Sequence, residues 1–393
     1  MPKAHAILSA SGAHRWLECT PSARLEEKFA STTSPYAEEG TVAHELAEIS
    51  LLHMIGQLSA EKYNERLYRI KENKWFNEEM LEYCGDYAKF VYKKWTDLKE
   101  KTGDASVLVE EKIDFGKWVP NGFGTADCII LADKYMEVVD FKYGKGKRVE
   151  ATENPQMRLY TLGAYNSFGM VYDVENVTMT IYQPRIANGI TSDEITIDAL
   201  IDWGNFYVKP RAELADKGKG NFAPSEETCK FCKARATCKA RAEEKLKLYD
   251  DGFDARLLTI QEAGALLEKA SDIEAWLSDL KAYVEGSLLD GVEVPGWKLV
   301  AGRSIRRFAD EQKVAEAMIG AGYDPAVLYK PPELITLTQM EKDFGKKAVE
   351  KTIGHLIVKP AGKPTLAPES DKRPAIKREE ELLKEFDDYF KED

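Results

Sequence analysis

Between Ser106 and Gly146 short β-branched runs alternate with turn residues, and the pattern predicts three successive strands. Val107-Leu108-Val109 opens the first, Gly124 to Leu131 makes the second, and Tyr135 to Lys142 makes the third. Pro120-Asn121-Gly122 and Ala132-Asp133-Lys134 supply the turns between them. Upstream, Ser11 is read as the cap of a short helix ending near Cys19. A helix with Val42, Leu46 and Ile49 as its apolar stripe is expected to start at Thr41, placing His44 near its beginning. Trp75 to Thr102 reads as another helix, with Met80, Tyr83, Tyr87, Phe90, Val91 and Trp95 on one face. Downstream, Asn154 and Pro155 open a helix on which Gln156 and Tyr160, four apart, share a side. Asn176 to Gln183 reads as a strand ended by Pro184, Ile195 to Ile197 as a short edge strand, and Asp198 to Lys217 as helical.

Past Arg241 the pattern becomes mainly helical, over Leu257 to Leu289, Glu311 to Ile319 and Gln339 to Lys351. A hairpin carrying Arg303, Arg306 and Arg307 is expected from Gly296 to Phe308. Proline and charge dominate from Pro360 to Pro374, and the tail from Glu379 is acidic with aromatic residues. The organisation expected is a first domain over residues 1–245, a mainly helical region over 246–358, and a flexible charged tail over 359–393.

Composition narrows the class. At 44% hydrophobic and 31% charged, the chain reads as an ordinary globular protein, and no apolar run reaches the ~18 residues of a membrane helix. The N-terminus has no signal-peptide core, so a cytoplasmic location is expected. A net charge of −12 argues against non-specific coating of nucleic acid. It leaves room for a local basic channel, and Lys142, Lys145, Lys147 and Arg148 cluster directly after the third strand. That cluster is read equally as a solvated turn and as a phosphate-contacting loop.

The second and third strands each carry an aspartate among apolar residues, Asp127 and Asp140. Burying a carboxylate is costly unless it is paired or holds a cation. Adjacent strands would bring the two together, and a divalent metal relieves their repulsion. Lys142 lies two residues beyond Asp140 and therefore on the same face. A metal to activate water and a lysine to steady developing negative charge suit phosphodiester hydrolysis. Taken alone, an Asp-x-Lys is usually a strand-end salt bridge; the order of the surrounding residues is what adds weight.

Of the six cysteines, Cys229, Cys232 and Cys238 follow a C-x2-C-x5-C spacing, and Cys19 is the best spare as a fourth ligand. Cys84 falls mid-helix and Cys128 mid-strand, where burial accounts for them. By spacing alone four thiolates suit zinc and an iron–sulfur cluster equally.

Taken in order, His44, Gly124-x-x-Asp127, Asp140-Phe141-Lys142 and Gln156-x-x-x-Tyr160 resemble the PD-(D/E)XK nuclease superfamily, in its RecB-like branch. The match runs over about residues 8 to 240, and the cysteines bracketing it resemble the iron–sulfur members of that branch. The whole chain also resembles a bacteriophage and prophage family of the superfamily. The resemblance implies a restriction-endonuclease-like fold, a mixed central sheet flanked by helices. It implies Mg²⁺ or Mn²⁺ on His44, Asp127, Asp140 and the Phe141 carbonyl, with Lys142 acting on the attacking water and Gln156 and Tyr160 ordering the site and the DNA strand. It tips the cysteines Cys19, Cys229, Cys232 and Cys238 from zinc to [4Fe–4S], as a staple of the domain's chain ends. Family members often carry a glutamate near the first strand, a place open here to Glu110 or Glu111. The function expected is a metal-dependent DNA nuclease, an exonuclease of phage recombination or replication, working in the bacterial cytoplasm with DNA and phage replication or recombination proteins as partners. The alternative is a non-catalytic DNA-binding or scaffold protein with a structural zinc or iron–sulfur site.

Overall fold

A computed structural model describes residues 6–30, 34–250, 260–300, 311–321 and 336–357. Five strands form one mixed sheet in chain order: β1 (Ser106–Asp114), β2 (Phe123–Ala132), β3 (Tyr135–Phe141), β4 (Asn176–Tyr182) and β5 (Ile190–Thr196). The first three make an antiparallel meander, in the register Val107↔Ile130 and Cys128↔Val139. Helix α6 (Pro155–Phe168) then crosses over, so that β4 lies parallel to β3 with Asp140↔Ile181, and β5 returns antiparallel. This is the helix-flanked mixed sheet expected from the sequence. β5 is a seven-residue edge strand, longer than expected, and Ile197 belongs to the next helix.

Each face of the sheet has its own core. On one side α6 buries Met157, Leu159 and Leu162 against Ile129, Val138 and Met179. Helix α1 (Ala13–Glu18), which adds Trp16 and Leu17, joins the same core. On the other side α3 (Pro35–Met54) and α5 (Glu78–Thr102) pack Leu46, Ile49, Tyr87 and Val91 against Ile130, Val139 and Phe141. Helix α2 (Ser22–Glu26) follows α1, and α4 (Ala60–Lys71), which the sequence reading missed, leans on α3.

Helix α5 begins at Glu78 behind an Asn77 cap rather than at Trp75, and two helix caps also differ from expectation. α3 begins at Pro35 with Ser34 as N-cap, its hydroxyl accepting from the Ala37 amide. Thr41 lies inside the helix and donates back to the Ala37 carbonyl, and His44 sits mid-helix. Ser9, not Ser11, caps the turn that leads into α1. Asn154 caps α6 as predicted, accepting from Gln156 and Met157.

After β5 come α7 (Ile197–Asp202), a π-helical turn (Trp203–Val208) and α8 (Lys209–Asp216). Then α9 (Glu226–Cys229), α10 (Lys239–Asp250) and α11 (Ile260–Leu289) follow. Contacts divide the chain into two units, Met1–Glu293 and Val294–Asp393. In the second unit the described residues form α12 (Glu311–Gly320), α13 (Leu337–Phe344) and α14 (Lys346–Ile353). Gly345, at φ +82°, splits into two the single helix expected there. Residues 296–300 contain no strand, and Arg303, Arg306, Arg307 and the tail from residue 358 lie outside the described residues. No described helix is long and apolar enough to cross a membrane.

Candidate active site

The C-terminal end of β3 gathers the predicted polar residues. Asp127 on β2 accepts the Phe141 amide on Oδ2 at 2.7 Å, and its Oδ1 lies 3.3 Å from Nδ1 of His44, which α3 brings over the sheet. The His44 ring meets Phe141 edge-on, 5.5 Å between centroids. Asp140 is 3% exposed. Its Oδ2 accepts no hydrogen bond, although the Lys142 ammonium stands 3.0 Å away. Gln156, delivered by the capped first turn of α6, bridges the pair. Its amide nitrogen donates to Asp140 Oδ1 at 3.3 Å, and its Oε1 accepts from Lys142 Nζ at 3.2 Å. Tyr160, one turn on, lays its ring over Gly124. A Cβ at Gly124 would come within 2.9 Å of Tyr160 Cε1, which is the physical reason for glycine three residues before Asp127.

Glu110, left open against Glu111 in the sequence, is the glutamate that reaches the site. A carboxylate oxygen of Glu110, one of Asp127 and a ring nitrogen of His44 all lie within 4.8 Å of one another, the geometry of a candidate metal-binding triad. Glu110 takes φ +51°, a left-handed conformation uncommon away from glycine. Glu111 instead pairs with Ala126 in the ladder.

The charges set one another. Burial opposes charge on His44, but Asp127 and then Asp140 outweigh it and lift the imidazole to about 9. Asp127 is buried too, yet His44, the Phe141 amide and Lys142 hold it below its ordinary value. Asp140 is pushed up by burial and by Asp127, against the pull of Lys142. Glu110 rises to about 7 through burial and the nearby Asp127. Burial and the Asp140 charge carry the Tyr160 hydroxyl up to about 12. Two carboxylates raised by burial and by the Asp127 charge, one of them with a buried oxygen that accepts no hydrogen bond among the described residues, stand beside a third, and the set fits a divalent cation by donor type and by charge.

Cys19, Cys229, Cys232 and Cys238 line one small cavity, as the sequence grouped them. Cys84 and Cys128 are fully buried elsewhere. Burial and the neighbouring Cys238 and Cys229 raise the Cys19 thiol, while the Ala223 amide pulls the other way. The N-terminal segment is tied to this region by Arg24 to Asp216 at 2.6 Å, Thr20 to the Lys219 carbonyl at 2.7 Å, and the Lys233 amide to Glu26 at 2.7 Å.

Fold and site together define an α/β protein, a mixed five-stranded sheet flanked by helices, with a carboxylate centre suited to a divalent cation. Residues 5–374 match the family described as "Protein of unknown function (DUF2800)", and the chain belongs to it. Among solved structures it is similar to SSO0001, at 14% identity over 56% of this chain and 95% of that one, with a TM-score of 0.24. It is also similar to LHK-Exo in complex with dAMP, at 15% identity over 46% and 93%, with a TM-score of 0.22.

Proposed function

We propose that this chain is a metal-dependent deoxyribonuclease of the PD-(D/E)XK superfamily, in its RecB-like branch. The observation that carries the reading is the meeting of His44, Glu110, Asp127, Asp140, Lys142 and Gln156 at the end of β3. A binding or scaffold protein has no evident need for a buried aspartate, a charged lysine beside it and a third and fourth ligand within reach. His44, Glu110, Asp127 and Asp140, with the Phe141 carbonyl, would hold Mg²⁺ or Mn²⁺, which supplies Lewis-acid charge to the phosphoryl oxygen and acidity to water.

The chain's own groups do the rest. Lys142 is kept charged by Asp140 and Asp127 in spite of its burial. It sets a fixed positive charge where negative charge develops on the phosphate, and its N–H groups orient the attacking water. Gln156 locks the Lys142 and Asp140 side chains together, so the lysine does not reorganise during the reaction. The Phe141 amide fixes the Asp127 carboxylate. Action from DNA ends, in phage recombination or replication, is the setting that the family resemblance favours.

For the cysteines the reading is a structural [4Fe–4S] cluster. The four cysteines line one small cavity, and their order, one before the core and three after it in C-x2-C-x5-C, is the one the family resemblance associates with an iron–sulfur cluster rather than zinc. Iron and sulfide content and colour after anaerobic purification test this.

The nuclease test is degradation of end-labelled linear DNA with Mg²⁺ or Mn²⁺, beside closed circular DNA. Wild type cuts the linear DNA, Asp140→Ala and Lys142→Ala lose at least a hundredfold in rate while staying folded, and the circle resists. A cluster-loaded wild type that binds DNA and cuts nothing with either metal would leave the non-catalytic reading in its place.

A further inference from the structure

The stretch that leaves β3 directly after Lys142 reads Tyr143-Gly144-Lys145-Gly146-Lys147-Arg148-Val149. A run of surface lysines is by itself a solvated turn. This one is held from below. Gln183, just past the end of β4 and 3% exposed, spends its whole side-chain amide on the loop. Its nitrogen donates to the carbonyls of Gly144 at 2.8 Å and Lys147 at 3.3 Å, and its oxygen accepts the Val149 amide at 3.1 Å. Thr191 on β5 adds a bond from the Ala151 amide at 3.0 Å, and the Lys142 amide donates to the Tyr182 carbonyl at 2.9 Å.

That pinning has a stereochemical consequence. In a trans peptide the N–H points opposite to the C=O. Turning the Gly144 and Lys147 carbonyls inward to Gln183 therefore turns the amides of Lys145 and Arg148 outward. Neither amide donates a hydrogen bond among the described residues. Gly144 and Gly146 have open space where a side chain would stand, so a ligand can approach the backbone closely. Lys145 has no carboxylate within salt-bridge distance among the described residues. Among the described residues Lys147 and Arg148 have only the well-exposed Glu227 and Glu150 as ion-pair partners, pairs that solvent keeps weak.

We propose that this loop is a phosphate cradle for the DNA backbone. It takes a phosphate next to the scissile one on the outward amides of Lys145 and Arg148 and on the Lys145 ammonium, and Gln183 is the residue that positions it. Three residues reach at most about 10 Å, so Lys145 stays within a nucleotide or two of Lys142. The inference rests on the nuclease reading and names where the substrate strand is gripped.

The test is anisotropy of a labelled oligonucleotide over a salt series, with Ca²⁺ replacing the catalytic metal, followed by steady-state cleavage. Lys145→Ala is expected to raise Kd about fivefold and to lower the salt slope by about one phosphate contact. Gln183→Met, which keeps every cation but frees the loop, is expected to raise Kd and KM by a similar factor, with the loss in KM rather than kcat. Lys89→Ala, an exposed lysine on α5, serves as the control and changes neither. Inorganic phosphate, added at the total phosphate concentration of the oligonucleotide, displaces no probe. If wild type binds and cuts while Lys145→Ala keeps its Kd and salt slope, the cradle is wrong and the nuclease reading stands. Displacement by inorganic phosphate alone would make the loop a free-phosphate site and equally overturn the assignment. A wild type that neither binds nor cuts overturns both.

Discussion

Replacing Asp279 by alanine tests how α11 is held. Two arginines flank Cys238 at three residues on either side, and both reach Asp279: Arg235 Nε at 2.8 Å and Arg241 at 2.8 Å. Two turns earlier on α11, Asp272 lies 3.6 Å from Arg241 and pairs with Lys245. The two arginines differ in burial, and that decides the magnitudes. The Arg235 side chain is 41% exposed, so its pair is a surface pair worth ~0.5 kcal/mol. The Arg241 side chain is 4% exposed, and its Nε already lacks a partner. Removing Asp279 leaves a buried guanidinium with, among the described residues, only Asp272 and the Arg235 carbonyl, and stranding a buried charge costs about 3–5 kcal/mol. The remaining partners place the expected loss at about 3 kcal/mol, or roughly 6 °C in Tm at ~2 °C per kcal/mol for a unit of this size. Thermal unfolding reads the total, and hydrogen exchange along Ile260–Leu289 reads its location. Replacing the pair together, Arg241→Met with Asp279→Leu, should recover most of the loss. A Tm shift under 1 °C for Asp279→Ala, with α11 equally protected, would refute the account.

Two further outcomes follow from the same kind of reasoning. Gly124→Ala forces a methyl to 2.9 Å from the Tyr160 ring, so a loss of about 1–3 kcal/mol in unfolding stability is expected together with reduced cleavage; unchanged Tm and rate would mean that the ring moves freely. Asp279 is partly desolvated, but Arg241 and Arg235 hold its carboxyl below the ordinary 3.8. An acid depressed by folding stabilises above its unfolded pKa and loses that contribution as pH falls through and below it. The Tm gap between wild type and Asp279→Asn should therefore be full near pH 6 and narrow towards pH 3, and a gap constant across that range contradicts the assignment.

Much of this fold is legible in the sequence where one local signal decides. The β-branched runs and the turns at Asn121-Gly122 and Asp133-Lys134 mark β1 to β3, and Asn154-Pro155 marks the start of α6, because each fixes backbone dihedrals by itself. Thr41 offers a capping hydroxyl just before the apolar stripe of Val42, Leu46 and Ile49, but it lies inside the helix. Ser34-Pro35 is the stronger start, and nothing crowds Gly40 in the helix. α4 went unseen because its charged and tyrosine residues give few apolar positions, and only Ile70 is fully buried. Of the site, His44, Asp127, Asp140, Lys142, Gln156 and Tyr160 were readable as an ordered set. Gln183 was not, since its role is three hydrogen bonds to a loop some 40 residues away in sequence.

The choice between Glu110 and Glu111 shows why alternation alone fails at this site. On β1, Val107 and Val109 pack towards α3 and α5, and strict alternation would send Glu111 after them. Instead Ile113, also odd-numbered, packs towards α6. The same change occurs on β2, where Cys128 and Ile130 face α3 and α5 while Ala126 faces α6. The pairings Val109↔Cys128 and Glu111↔Ala126 keep one register across the change, so no residue is inserted. Both strands therefore change sides between the same two rungs, at Glu110 on one and Asp127 on the other, and the left-handed φ of Glu110 is the local cost. Where the alternation breaks, a side chain is committed to neither apolar core. Glu110 and Asp127 stand at that point with His44, so these carboxylates, though partly buried, face each other and the histidine rather than either apolar core.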